Sequence, residues 1–132
     1  MRKFTTQASS LLSNFAKKYA LIYSIDSDNE IRLLGDKYII RFVLDREGIS
    51  TTYVDLDSSL LYDIELFMVL TRKAHLAPAS PEQGEPQDAF ECKRVIDLIE
   101  QAGRDILNGG QDWRKEYEWP PLHVSGLIKE RH

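Results

Sequence analysis

The amino-acid sequence predicts a single α+β domain: an N-terminal helix, a four-stranded antiparallel β-meander, then two helices and a short C-terminal segment. Three observations support this prediction. Apolar residues recur at helical spacing in residues 4–18, four short β-prone runs fill residues 20–56, and two further helical patterns follow. The length of 132 residues is ordinary for one domain. Because no internal repeat divides the chain, we expect residues 1–132 to share one hydrophobic core.

The first helix is predicted from a single apolar stripe over residues 4–18. Lys17 and Lys18 would fall in its last turn, where the helix dipole favours positive charge. An amphipathic helix buries its apolar stripe against another element, and the following sheet can supply that surface. The apolar positions are Phe4, Ala8, Leu11, Leu12, Phe15 and Tyr19.

Turn-forming clusters set the predicted register of the meander. They are Ser27-Asp28-Asn29, Gly35-Asp36 and Arg46-Glu47-Gly48. Opposed residues in a hairpin share one face of the sheet, and a slip of one residue turns a strand over. Closing the hairpins at these turns opposes mainly apolar residues, which predicts one inner face. The predicted pairs are Ile25 with Ile31, Tyr23 with Leu33, Leu33 with Tyr38, Ile31 with Ile40, Phe42 with Thr52, and Ile40 with Val54.

The same register predicts an outer face of mixed character. Glu30 would lie directly opposite Arg41 on this face. The outer face is either covered by the second helix or used as a docking surface, and the sequence leaves both alternatives open. Its predicted residues are Asp26, Glu30, Arg32, Arg41, Thr51, Tyr53 and Asp55, alongside Ile22, Leu34, Ile39 and Val43.

The remaining elements follow from apolar periodicity and from proline and glycine. After a plausible cap at residues 57–59, the apolar pattern predicts a second helix over residues 60–74. Prolines, glycine and acidic residues predict a flexible loop over residues 76–89. Pro86 can open a third and longest helix, which would end at Gly109-Gly110. One or two helical turns would follow, with an irregular tail over residues 120–132.

Composition limits the classes of partner. The formal net charge is -4 and the sequence pI is about 5.4, so nothing global attracts nucleic acid or an anionic membrane, and a basic protein partner fits better. Cys92 has no second cysteine to pair with, which favours a reducing compartment. The N-terminus resembles no signal peptide and no apolar run is long enough to span a membrane. We therefore expect a cytoplasmic protein.

No motif for catalysis, cofactor binding or metal binding is recognisable. Residues 26–30 begin like a calcium loop, but Ile31 and Lys37 occupy the positions that need glycine and glutamate. None of the three histidines has a second histidine four residues away, which disfavours a metal site. Cys92 lies on an apolar stripe, which predicts a buried core thiol rather than a nucleophile. The sequence predicts no cofactor and no metal.

An aromatic cluster near the C-terminus has two readings. Trp113, Tyr117 and Trp119 are of the residue types that anchor protein interfaces, and Tyr117 falls about one helical turn after Trp113. The alternative is that they pack the C-terminal segment onto the core.

The order of the elements and three segments resemble small bacterial immunity proteins, the cognate partners of polymorphic and contact-dependent growth inhibition toxins. The segments are Phe15-Ala16-Lys17-Lys18-Tyr19 before the first strand, Asp45-Arg46-Glu47-Gly48 in the last hairpin, and residues 102–113 at the end of the final helix. The resemblance covers most of the chain as a pattern. It implies an inhibitor that covers its toxin, and it transfers no individual binding residue.

The sequence therefore predicts a non-enzymatic protein-binding domain, with toxin neutralisation as the leading function. A nuclease-type toxin would present a basic surface, which acidic side chains attract. A structural or adaptor protein, including a homodimer, is the alternative, and an enzyme with an unrecognised site is the third reading. The candidate partner-binding residues are Asp26, Asp28, Glu30, Arg41, Tyr53, Asp55, Trp113, Tyr117 and Trp119.

Overall fold

The computed structural model describes residues 3–75 and 80–116. In these residues a single antiparallel sheet is combined with helices, as the sequence predicts. The helices are α1 (Thr6–Lys18), α2 (Ile64–Leu70), α3 (Gln87–Ala102) and α4 (Arg104–Leu107), followed by a 3-10 turn at Asp112–Lys115. The strands are β1 (Ile22–Ser27), β2 (Glu30–Leu34), β3 (Tyr38–Asp45), β4 (Gly48–Asp55) and β5 (Leu61–Tyr62).

The sheet has the order β1-β2-β3-β4-β5, and every neighbouring pair is antiparallel. The predicted meander is therefore confirmed, with one strand more than expected. Leu61 and Tyr62 pair with Val54 and Tyr53, although the sequence placed them in the second helix. That helix begins only at Ile64, because the Asp63 side chain accepts the Leu66 N–H at 3.0 Å and caps it there.

The register differs from the prediction in the two later hairpins. Tyr23 lies opposite Leu33, as predicted. Leu33 lies opposite Ile40 rather than Tyr38, a shift of two residues that keeps each side chain on its expected face. Ile40 lies opposite Tyr53 rather than Val54, and this shift of one residue turns β4 over.

The cause of the inversion is the turn between β3 and β4. The prediction used a three-residue turn that included Gly48. In the structure Gly48 pairs with Asp45 and only Arg46 and Glu47 form the turn. Gly48 has φ +126°, and a Cβ added there would lie 2.2 Å from Glu91 Oε1. Both features favour glycine, so the residue that looked like part of the turn is the first residue of the strand.

The core lies between the inner face of the sheet and the helices. Buried side chains of β2, β3 and β4 form one cluster with residues of α1, α2 and α3. The N-termini of α1 and α3 are tied together, because the Asp88 carboxylate accepts the Thr5 N–H at 2.7 Å and the Thr5 hydroxyl at 2.8 Å. The inner-face members of the cluster are Ile31, Leu33, Tyr38, Ile40, Phe42 and Tyr53.

The helices differ from the predicted ones mainly at their ends. The first begins at Thr6, where Thr5 caps it. The predicted third helix is divided into α3 and α4 at Gly103, a residue type that weakens helix interiors. Because α3 starts at Gln87, residues 87–89 are helical rather than part of the predicted flexible loop. Residues 76–79 of that loop and the predicted tail at 120–132 lie outside the described residues.

Candidate functional site

Two hairpin turns meet at one end of the sheet. The turn between β1 and β2 contains Asp28 and Asn29, and the turn between β3 and β4 contains Arg46 and Glu47. The Leu44 N–H donates to the Asn29 carbonyl at 2.9 Å, and the Asn29 side-chain amide donates to the Leu44 carbonyl at 3.3 Å. These two hydrogen bonds hold the turns side by side.

The joined turns present four exposed carboxylates, from Asp26, Asp28, Asp45 and Glu47. We call these four residues the acidic tip. Arg46 is the basic residue within the two turns. The Glu47 N–H donates to the Asp45 carboxylate at 2.8 Å, which fixes the shape of the second turn. The arrangement concentrates negative charge on a rigid part of the sheet and suits a basic protein surface.

Sequence reasoning selected Asp26 and Asp28 but missed Asp45 and Glu47. The signal that could have found them was available. In a meander the first and third turns lie at the same end of the sheet, because each strand reverses direction. The sequence could therefore have predicted that the acidic residues of those two turns lie close together.

Glu30 lies next to the tip on the outer face. It is opposite Val43 rather than Arg41, but its carboxylate accepts two hydrogen bonds from Arg41 at 3.0 Å each and one from Arg32 at 2.6 Å. The Arg41 hydrogen bonds, opposed by burial and reinforced by Arg32, lower the pKa of Glu30 from 4.5 to about 2. The negative Glu30 carboxylate is therefore shared by two positive guanidinium groups, and Arg32 also contacts the Asp26 carboxylate at 3.4 Å.

The outer face also carries an apolar row that crosses all five strands. In register order this row is Ile22, Leu34, Ile39, Val54 and Leu61. The exposed fraction is 66% for Ile22 but only 3% for Leu61. Ile22, Leu34, Ile39 and Val43 lie on the outer face as predicted. None of these four belongs to the core or to the apolar residues packed against it.

The second helix does not cover the outer face. Its buried residues Ile64, Phe67 and Met68 belong to the core on the inner side of the sheet. This observation excludes α2 as the cover of the outer face. Docking on that face stays a prediction.

The expectation that Tyr53 and Asp55 face outwards is wrong. Because β4 is turned over, both point inwards, as does Thr51, and the exposed fractions of Tyr53 and Asp55 are 2% and 3%. Asp55 forms an ion pair with Arg114. Burial acts to raise the pKa of Asp55, but hydrogen bonds from Asp57, Ser58 and Arg114 outweigh it and hold that pKa below its usual value.

Trp113 belongs to the core and not to a surface. Its side chain is fully buried, and its ring lies 5.0 Å from that of Tyr53, 5.4 Å from Tyr62 and 5.3 Å from Phe67. Its indole N–H donates to the Gly110 carbonyl at 2.9 Å. Of the two readings of the aromatic cluster, packing is therefore the correct one for this residue. Tyr117 and Trp119 lie outside the described residues.

A groove with a volume of about 350 Å³ lies between β4 and α2. We call it the β4–α2 groove. Burial first, and then the negative charges of Asp63 and Glu91, raise the pKa of Glu65, while Arg94 opposes the shift. No side-chain hydroxyl of the groove hydrogen-bonds to Glu65 within the described part of the chain. The groove is lined by Ile49, Ser50, Thr51, Thr52, Asp63, Glu65, Leu66 and Val69.

The described ranges contain no metal-binding cluster, and Cys92 is buried. No cluster of three or more His, Cys, Asp or Glu side chains that could hold a metal ion occurs among residues 3–75 and 80–116. Cys92 is fully buried, and burial, followed by the charges of Asp88 and Glu91, raises the pKa of its thiol to about 12. A thiol with this pKa is a poor nucleophile at neutral pH.

A comparison of the chain with models of protein families, with curated proteins and with solved structures finds no match. Across the part of the chain that the structure describes, no helix is long and apolar enough to cross a membrane.

Proposed function

We propose that this chain is a non-enzymatic protein-binding domain that binds a basic partner protein through the acidic tip, and that the partner is a bacterial toxin which it neutralises. The observation that supports this function best is the juxtaposition of Asp26, Asp28, Asp45 and Glu47 on two turns joined by hydrogen bonds. A preformed cluster of like charges attracts a surface of opposite charge without the cost of ordering a loop.

The neighbouring outer face extends the proposed contact. Beside the tip, the Glu30, Arg32 and Arg41 side chains form a network of one carboxylate and two guanidinium groups, and Arg32 also pairs with Asp26 of the tip. Beyond the network lies the apolar row, which begins with the exposed Ile22. A charged margin that steers the encounter and an apolar area that is buried on contact are the two parts of a typical protein interface. We place the protein in the cytoplasm, where its lone thiol stays reduced.

Homodimerisation through the outer face is the second candidate function. The observation that favours it is the apolar row itself, because a row that crosses the whole sheet can pack against the same row of a second copy. The two candidates differ in the residues they need. A dimer depends on Ile22 and Ile39, whereas binding of a basic partner depends on the acidic tip.

The test is capture of the partner by the intact chain, followed by a growth assay. Wild type and the triple variant Asp26→Lys, Asp28→Lys, Glu47→Lys are immobilised and exposed to host lysate at low salt, and bound proteins are identified by mass spectrometry. A protein that binds only wild type is then expressed in a sensitive strain with either form. The proposal expects wild type to restore growth and the triple variant to fail.

Two controls make the result decisive. Ile39→Ser changes the apolar row and keeps the tip, so it should still restore growth if the tip provides most of the binding. A concentration-dependent dimer in sedimentation that Ile39→Ser abolishes, together with no captured protein that affects growth, would contradict the proposal in favour of the homodimer.

A further inference from the structure

The β4–α2 groove lies along an unpaired strand edge. β5 pairs only with Tyr53 and Val54 of β4, so among the described residues no strand pairs with residues 49–52 on that side. The other edge of the sheet is β1, where the register is interrupted between Ile25 and Ser27 next to the exposed Asp26. Bulges and charges of that kind discourage the addition of a strand. The β4 edge has no such interruption in its pairing with β3.

The backbone of this edge is oriented for pairing. The Asp55 N–H donates towards β5, to the Leu60 carbonyl at 3.0 Å, and the Ile49 N–H donates to Glu91 Oε1 at 3.2 Å. Because backbone groups alternate along a strand, the N–H and carbonyl of Thr51 point to the same side. No hydrogen bond to these two groups occurs there in the described part of the chain. They form an unpaired position between Ile49, whose N–H is bound by Glu91, and Tyr53, which pairs with β5.

The Thr51 side chain supplies a second, independent observation. Thr51 lines the groove, its exposed fraction is 4%, and its hydroxyl oxygen has no hydrogen-bond partner. Buried hydroxyl groups in proteins are nearly always paired, and an unpaired one is destabilising. The oxygen itself is buried, so a guest can pair with it only when the side chains that line the groove move apart.

The opposite wall of the groove favours a guest with both apolar and basic side chains. Leu66 and Val69 of α2 line it, and Leu66 has an exposed fraction of 45%. Asp63 and Glu65 line the same wall, and Glu91 lies at the end nearest the acidic tip. Arg94 is the basic residue whose charge acts on Glu65. The carboxylates outnumber it, so a lysine or arginine of the guest is attracted.

We infer that the β4–α2 groove binds an extended, basic segment of the partner protein, which adds a strand to the free edge of β4. Backbone hydrogen bonds to Thr51 would give affinity, and contacts with Leu66 and Glu65 would select alternating apolar and basic side chains. The inference rests on the proposed function, because it takes the partner to be a basic protein. It goes further by stating the form in which part of that partner binds.

The test uses three short peptides and the intact chain. The first peptide alternates valine and lysine, the second has the same sequence with N-methyl groups at alternate residues, and the third alternates valine and glutamate. Backbone amide shifts and amide hydrogen exchange are followed by NMR during each titration. The first peptide should shift the amides of residues 49–52 and slow exchange at Thr51. N-methylation removes the donors of one strand edge, so the second peptide should bind at least about tenfold more weakly, and the third should not bind.

Variants of the chain sharpen the result. Glu65→Gln should weaken binding of the valine–lysine peptide, whereas Glu82→Gln, which changes an exposed carboxylate outside the groove, should not. Equal binding of the N-methylated peptide, or shifts confined to the acidic tip, would overturn strand addition while leaving the proposed function standing. Self-association through residues 49–52 without peptide would also overturn it, because the occupant would then be a second copy.

Discussion

The two faces of the sheet are built from the same strands but differ in how their side chains are packed. The inner face holds Tyr38 and Tyr53, whose rings stack at 5.2 Å, and Trp113 closes over Tyr53 from the C-terminal segment. The outer face holds a hydrogen-bonded charge network around Glu30 and an apolar row whose residues Ile22, Leu34 and Ile39 lie outside the core cluster. Close packing makes the inner face intolerant of change. On the outer face we expect substitutions outside the Glu30 network to affect the fold less, which is why we propose that face as part of the binding surface.

The largest expected effect comes from removing the side chain that closes the inner face. Trp113→Ala deletes a fully buried ring in contact with three other aromatic side chains. We expect a loss of about 3–5 kcal/mol in the free energy of unfolding, measured by urea denaturation. The control is Asp112→Ala, since the Asp112 side chain is 98% exposed and should change stability by at most about 0.5 kcal/mol. Similar losses for the two variants would contradict the core position of Trp113.

Substitution of two adjacent isoleucines allows the two faces to be compared by their effect on stability. Ile40 is fully buried on the inner face, and Ile39 lies on the apolar row of the outer face. Ile40→Ala should destabilise the protein by about 2–5 kcal/mol. Ile39→Ala should cost about 1 kcal/mol or less, because its side chain leaves no enclosed cavity. Thermal and urea unfolding of both variants check this contrast, and a larger loss at Ile39 would mean that another part of the molecule covers the outer face.

Glu30 gives a smaller effect with a characteristic pH dependence. Glu30→Gln leaves the half-buried Arg41 without its charged partner, and we expect a loss of about 2 kcal/mol at pH 7. The pKa of Glu30 is about 2 in the folded protein and 4.5 is its ordinary value. Its stabilising effect is therefore complete above pH 4.5 and is lost as the pH falls towards 2.

The measurement is the difference in unfolding free energy between wild type and Glu30→Gln across this pH range. The difference should shrink as the pH falls. Glu47→Gln serves as the control, because Glu47 is exposed at the acidic tip. A difference between wild type and Glu30→Gln that stays constant from pH 7 to pH 2 would contradict the claim that Arg41 lowers the pKa of Glu30.

The smallest expected effect on stability is at the acidic tip. Asp28→Lys replaces an exposed carboxylate in a turn that is held by backbone and Asn29 hydrogen bonds. The free energy of unfolding should change by about 0.5 kcal/mol or less. Asn29→Ala, which removes one of the hydrogen bonds between the turns, should cost about 1 kcal/mol. If Asp28→Lys proved the more damaging of the two, the tip would be part of the fold rather than a surface for binding.

The sequence predicted the helices, the meander and the first hairpin, because periodicity and turn residues are local signals. It failed where one residue decides the outcome. Gly48 could belong to the turn or to the strand, and the sequence does not distinguish the two; in the structure it pairs with Asp45 at φ +126°. That choice inverted β4 and moved Tyr53 and Asp55 to the wrong face. β5 was missed because a strand of two residues is too short to show an alternation of apolar and polar side chains.

The candidate site was predictable in part for the same reason. The acidic character of the first turn was visible in the sequence, and the partnership of Glu30 with Arg41 was found despite a register that was two residues out. The β4–α2 groove was not predictable, since it depends on the length of β5 and on the position of α2. Both are set by tertiary packing.

The most direct test of the account is the rate at which the captured partner associates with the chain. Association of wild type and of the Asp26→Lys, Asp28→Lys, Glu47→Lys variant is followed by stopped-flow fluorescence over a series of salt concentrations. We expect the variant to associate about tenfold or more slowly at low salt, with a weaker dependence on salt. Equal rates and equal salt dependence would contradict the claim that the acidic tip directs binding.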